Sequence, residues 1–436
     1  MCSIRLFQFM ATGWRGYLEE ESEYQWIAMA GFLVFILLGA AAIQGTSNLP
    51  GVSAGPSNAS HAEVRVLDID YGSDGSFIAK VVTDTGIDLY MHNSDASVTK
   101  IIDSSEGVDA SEIEFLTPLA NGNVAISPAA NTVMVIHSPV NVPTGEALIS
   151  TLEMDNSTGD FEILDLAEKT FNSESSWLMV TDEGSSTGLR GFGSIGQGSV
   201  SADTISTSMA SAVLSMPTSD TADVVWQHVA SVSGNLWGAS GYISFASDVS
   251  GASAASPTIV PVVAVVEWDN SIDAPTIKAI HTGDTGTVHT LLELDDSTVF
   301  AAGTRESTLI DSSGEMVHID QGSVAAVVDD SDRVWLFGDV GSKTIMRYDQ
   351  GTMELLPLGR PLSFAAEASG FGMKQISLHG VDELGQIKTL NIDTSASSSI
   401  ESGRGFLTFM FLSVFTIVML VMAWSVSERF LNARRS

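Results

Sequence analysis

Several short patterns in this chain match arrangements that carry chemistry, and each makes a definite demand on its surroundings. Gly51-Val52-Ser53-Ala54-Gly55 fits G-x-S-x-G, in which a serine nucleophile sits on a sharp turn between a buried strand and a helix. Here the match lies in a stretch of small and polar residues that promises neither element. Gly191-Phe192-Gly193-Ser194-Ile195-Gly196 fits G-x-G-x-x-G, whose glycines let a dinucleotide pyrophosphate approach a strand-to-helix turn. The residues before it, Glu183 to Arg190, do not read as a strand, and 39 glycines make chance matches expected. Asp68, Asp70 and Asp74-Gly75 form part of a calcium loop, which needs a shell of oxygens on a tight turn. Asp329, Asp330 and Asp332 are a second such group. The plainer reading of both groups is a polar turn between strands.

The eight histidines, His61, His92, His137, His228, His281, His289, His318 and His379, form no H-x-x-x-H or H-E-x-x-H pair, so a zinc hydrolase has no local support. His281 and His289 flank an acidic turn at Asp284. Trp177, Trp226, Trp237, Trp268 and Trp335 read as core before they read as stacking platforms for a ligand. Cys2 is the single cysteine, which excludes a disulfide scaffold and a cysteine zinc site. The sequence therefore nominates no catalytic residue and no metal ligand, leaves binding residues unknown, and suggests no cofactor apart from calcium at the Asp68 turn.

The elements that position these residues are strands. Between about residues 63 and 393 there is almost no helical periodicity. Short runs of Val, Ile, Leu, Phe and Trp alternate instead with Gly, Asp, Asn and Ser. One unit recurs: an apolar strand, an acidic or glycine turn, a second strand, then small residues. Its clearest copy is VAAVVDDSDRVWLFG at 324–338, followed by TIMRYD at 344–349. A second is TLLELDDSTVFAAG at 290–303, followed by STLID at 307–311. Weaker copies centre on Phe77, Val124, Trp177, Trp237 and Ile376. The anchors near 77, 124, 177, 237, 299, 334 and 376 are spaced as four-stranded blades of about 40 to 50 residues require. The pattern resembles divergent WD-repeat, kelch-like and YVTN-type propellers. With seven anchors, that resemblance implies an all-β, seven-bladed β-propeller ectodomain, and the apolar runs described below would flank it with two transmembrane helices. The alternative is a pair of tandem β-sandwiches. Trp268-Asp269, the one Trp-Asp dipeptide of these repeats, stands out of frame.

Two uncharged apolar runs bracket the strands, at 26–43 and 405–426. About 20 such residues cross a bilayer as a helix. Arg5 and Arg15 precede the first, and Arg429, Arg434 and Arg435 follow the second, which places both termini in the cytoplasm. The expected order is a cytoplasmic tail (1–25), a transmembrane helix (26–43), a linker (44–62), the propeller-like ectodomain (63–393), a linker (394–404), a transmembrane helix (405–426) and a cytoplasmic tail (427–436). Cleavage of the first run as a signal peptide, after Ala40-Ala41-Ala42, is the competing reading. The second run followed by arginines also resembles the sorting signals of surface proteins. The N-terminal residues Ile4 to Trp14 have the composition of a segment lying in the inner interface.

Residues 46–404 hold 14 Lys+Arg and 48 Asp+Glu, so the net charge of -34 belongs to the part expected outside. A surface of this sign repels nucleic acid and anionic lipid, which excludes a nucleic-acid partner. Asn58 and Asn156 head N-glycosylation sequons. The expectation is a two-pass protein of the cell membrane. Its large outer domain binds or scaffolds a protein partner in the bilayer or at the surface, without turnover. A propeller hydrolase or lyase, or a sensory subunit signalling through partner helices, is the alternative.

Overall fold

A computed structural model describes residues 31–37, most of 49–396, and 409, 412–417, 419, 420 and 431. Within 49–396 the description leaves out 55–65, 72–75, 94–96, 108–109, 119–123, 137–148, 154–160, 172–173, 185, 195–203, 206–212, 216–220, 246–257, 270–273, 295–296, 359–360, 363–367, 370–372 and 382–386. The chain divides into two compact units, residues 51–395 and residues 1–50 with 396–436.

The larger unit is almost entirely β. Among the described residues it holds seven four-stranded antiparallel sheets and one two-stranded hairpin, Val213–Ser215 with Thr221–Asp223. Six of the sheets take four strands in chain order. The first begins at Val66–Tyr71, the second at Glu114–Pro118 and the third at Glu162–Phe171. The fourth begins at Val225–Ser231, the fifth at Val288–Glu293 and the sixth at Ala325–Val328. The seventh runs Ala368–Ser369, Gln375–Val381, Ile387–Asp393, and takes its outer strand, Val52–Ala54, from the opposite end of the unit. All seven sequence anchors fall on, or at the start of, the second strand of a sheet.

Those second strands are continuous apolar runs because both faces are covered. Every residue of Val299–Gly303 and of Val334–Phe337 is buried. Alternate side chains serve different layers, as the two-residue period of a strand dictates. Val299 and Ala301 pack with Val263 and Val265 of the fourth sheet. Phe300 and Ala302 pack with Ala326, Val334 and Leu336 of the sixth. Equivalent cores join the first sheet to the second, the second to the third and the third to the fourth. A pair of sandwiches would bury one core in each half. A core in every gap from the first sheet to the sixth is a different plan. Fourth strands carry more solvent: in Thr352–Pro357 only Leu356 is buried.

The tryptophans are core. Trp177, Trp226, Trp237, Trp268 and Trp335 are all buried, and the Trp237 indole donates to the Trp268 carbonyl at 2.9 Å.

One expectation needs correction. Part of the stretch assigned to a linker is a strand: Val52 pairs with Ile392, Ser53 with Asn391 and Ala54 with Leu390. Three residues give too short a signal to stand out among glycines and serines, and their partners lie more than 300 residues away. The chain enters and leaves this unit side by side, with the Asp393 amide donating to the Gly51 carbonyl at 3.2 Å. The apolar runs at 26–43 and 405–426 lie largely outside the described residues. Among the described residues, no helix is long and apolar enough to cross a membrane.

Candidate functional site

The first strand of each sheet pairs only with the second and leaves one edge of amides and carbonyls to be satisfied elsewhere. Five consecutive first strands carry a bulge at the corresponding place, between Val66 and Asp68, Phe115 and Thr117, Ile163 and Asp165, Trp226 and His228, and Val288 and Thr290. A bulge bends the strand and re-aims its side chains. Each of these follows an apolar residue with a polar one.

Ionisable side chains of the third to fifth sheets gather about the first strand and first turn of the fourth. Asp165 Oδ1 accepts the Leu166 amide at 2.9 Å, and its Oδ2 accepts the Val229 amide at 3.0 Å. The same Oδ2 stands 3.5 Å from Nδ1 of His228. Glu293 reaches the same strand from the other side and accepts the Ser231 amide at 2.5 Å. Lys169 Nζ donates to the carbonyls of Gly234 at 3.0 Å and Leu236 at 2.7 Å, and lies 4.4 Å from the centre of the Trp237 ring. His289 Nε2 is 3.0 Å from the Ser323 hydroxyl.

Burial tunes these groups. It pushes the Asp165 carboxyl up, against the pull of His228 and two amides. It also raises Glu293, opposed by the Ser231 amide and Lys169. Burial lowers Lys169 to about 8, with Glu293 opposing. It lowers His289 to about 4, helped by nearby His228, so this imidazole is neutral at physiological pH. A raised carboxyl beside a histidine, as Asp165 is beside His228, is what acid–base chemistry uses. Each carboxylate here is also a hydrogen-bond acceptor for an amide of the neighbouring sheet, and so fastens one sheet to the next.

None of Asp165, Lys169, Glu293, Ser231 and Ser323 was nominated by the sequence. The available signal was a charge inside an apolar run, as in Ile163-Leu164-Asp165-Leu166-Ala167. The nominated residues do not converge. Ser53 lies on a strand paired with Asn391, not on a nucleophile elbow. Gly191 and Gly193 lie inside the strand Thr187–Ser194, so the residues leading to them are extended after all, and the residues that follow, 195–203, lie outside the described residues. A Cβ at Gly191 would overlap the Trp268 indole, which accounts for glycine there. Asp68 and Asp70 are strand residues, while Asp74, Gly75, Gly196, Asn58 and Asn156 lie outside the described residues. Asp329 is enclosed by its own turn. Its Oδ1 accepts the amides of Ser331 and Arg333, and its Oδ2 accepts Arg333 Nε at 2.8 Å and the Trp335 indole at 2.9 Å. His281 and His289 diverge: the His281 ring meets His318, 5.8 Å away. Among the described residues no three His, Cys, Asp or Glu side chains are grouped to hold a metal.

No family model and no curated protein matches the chain. Solved structures do. A virginiamycin B lyase from Staphylococcus aureus is 11% identical with a TM-score of 0.37, over 78% of this chain and 99% of its own. The α-L-arabinofuranosidase of Fusarium graminearum, of glycoside hydrolase family 93, is 10% identical with a TM-score of 0.36, over 80% and 97%. A prolyl endopeptidase is 13% identical with a TM-score of 0.42, over 83% of this chain and 51% of its own. These neighbours are β-propellers. Scores this low carry no statement about chemistry.

Proposed function

We propose that this chain is a membrane-tethered, outward-facing seven-bladed β-propeller that binds a protein partner in a membrane or surface complex. The blade arrangement is supported by the order of packing. The first strand of each sheet packs on the first strand of the next, from the first sheet to the seventh. The Val52–Ala54 strand would complete the last blade and close the ring. The tether is supported by the two uncharged runs and by the arginines outside them.

The observation that carries the binding reading is the use made of the buried carboxylates. Asp165 and Glu293 each accept an amide of the fourth sheet, and Asp329 is enclosed by its turn. Groups spent on such contacts hold sheets together and are poorly placed to shuttle protons. The charge of -34 suits a basic partner, attracted at a distance and released by salt.

Purification from membranes in mild detergent should recover partner proteins whose retention falls as ionic strength rises. A chain that purifies alone at every salt concentration removes the binding reading. The enzymatic alternative draws on the raised Asp165 carboxyl beside His228 and on the raised Glu293 carboxyl. It takes over if residues 46–404 cleave members of a panel of glycosides or peptides.

A further inference from the structure

The apolar runs need something to cover them, and the described parts of both look alike. In 31–37, Leu33, Val34, Phe35 and Leu37 are exposed. In 409–420, Phe409, Leu412, Ile417, Met419 and Leu420 are exposed. Against that background Phe32 and Phe415 stack, with ring centres 6.1 Å and planes 18° apart. Both are partly buried, and so is Ile36, one helical turn beyond Phe32. We propose that the two runs form an antiparallel helix pair inside the bilayer, with Phe32 and Phe415 at its seam and lipid acyl chains covering the rest. This rests on the membrane reading above and adds what each helix packs against, which is the other.

Depth agrees. Phe32 lies 11 residues inside the outer end of its run at Ile43, and Phe415 lies 10 inside Gly405. With both runs helical throughout, as this pairing requires, a rise of about 1.5 Å per residue would put the two rings about 16 and about 15 Å below the outer surface. The ends of both runs follow from hydropathy alone, so nothing in their definition imposes this match. A slip of one turn would separate the rings by about 5 Å in depth. The chain path agrees as well. Gly51 and Asp393 are hydrogen-bonded neighbours, so the chain enters and leaves the larger unit at one place. The connecting stretches 44–50 and 396–404 are short, which keeps each helix at high effective concentration for the other.

Cysteine cross-linking in native membranes tests the seam. The full chain carries Cys2→Ser, a protease site within 394–404, and either Phe32→Cys with Phe415→Cys or Val34→Cys with Ile417→Cys. A short bifunctional thiol reagent is applied and the protease site is then cut. The expected result is that the two fragments stay joined, at the mass of a single chain, for the 32/415 pair. The 34/417 pair, on outward faces, should give several-fold less joined product. Equal yields, or product only at the mass of two chains, would overturn the pairing within one chain. Alkaline carbonate extraction runs alongside. A chain that stays in the membrane without forming the 32/415 link loses the pairing and keeps the membrane reading. A chain released into the supernatant loses both.

Discussion

Asp329 and Asp165 are both buried aspartates in or beside a first strand, and they are satisfied in opposite ways. The Asp329 side chain takes every partner from its own sheet, within six residues: two amides, a guanidinium and an indole. The Asp165 side chain takes one amide from its own strand, and then Val229 and His228 from the next sheet, more than 60 residues on. The first arrangement stabilises a turn. The second stabilises a junction between sheets. A carboxylate closed within six residues of sequence is a local matter, while one closed across sheets depends on the third and fourth sheets being packed together.

The largest expected effect is at the turn. Asp329→Ala leaves the Arg333 guanidinium and the Trp335 indole facing an empty site, and removing one partner of a buried ion pair costs about 3 to 5 kcal/mol. Urea unfolding of residues 46–404, followed by tryptophan fluorescence, measures it. A loss below about 1 kcal/mol would mean that the turn adds little to the sixth sheet. Next comes Asp165→Ala, which strips acceptors from the Leu166 and Val229 amides and should cost about 2 to 3 kcal/mol. Hydrogen exchange distinguishes the two sites. The Asp329 change should loosen amides of the sixth sheet, and the Asp165 change those of both the third and the fourth.

A smaller effect is the pH dependence of the junction. Asp165 has its pKa raised by burial above the ordinary 3.8, so the folded protein holds this proton more tightly than the unfolded chain. Its stabilising contribution is complete below 3.8 and is lost as pH rises through the raised value. Relative to Asp165→Asn, the wild-type protein should lose stability across that window and run parallel above it. An advantage that grew with rising pH would reverse the assignment. Lys169 works from the other end and should be the smallest effect. Its pKa is lowered to about 8 from 10.5, so its contribution is complete above 10.5 and is lost as pH falls through 8. Unfolding of wild type and Lys169→Met between pH 7 and 11 should show the wild type gaining over that range.

The same contrast separates what was legible in the sequence from what was not. Second strands repeat an apolar run because each lies between two neighbours, and a run such as Val334 to Phe337 is visible without any knowledge of its surroundings. The turn before it was visible too, since Asp332 takes the left-handed conformation, φ 60°, that aspartate tolerates and most residues avoid. What that acidic turn does was less clear: read as a polar turn, the Asp329 group also holds an arginine and a tryptophan. The junction at Asp165 was not legible at all. A single aspartate in an apolar strand acquires its meaning from His228 and Val229, and no spacing rule links positions so far apart. The Val52–Ala54 strand failed for the same reason, since three residues carry no period of their own.

That short outer strand also determines how the larger unit would respond to force. Gly51 and Asp393 lie at the same end of the antiparallel pair, so a pull that separates the two chain ends acts across the hydrogen bonds rather than along the strands. The bonds then give way one after another, from Val52 opposite Ile392 to Ala54 opposite Leu390, instead of resisting together. A lateral drag between the two apolar runs would therefore unzip the seventh sheet first, at low load, while the apolar layers between the other sheets stayed intact.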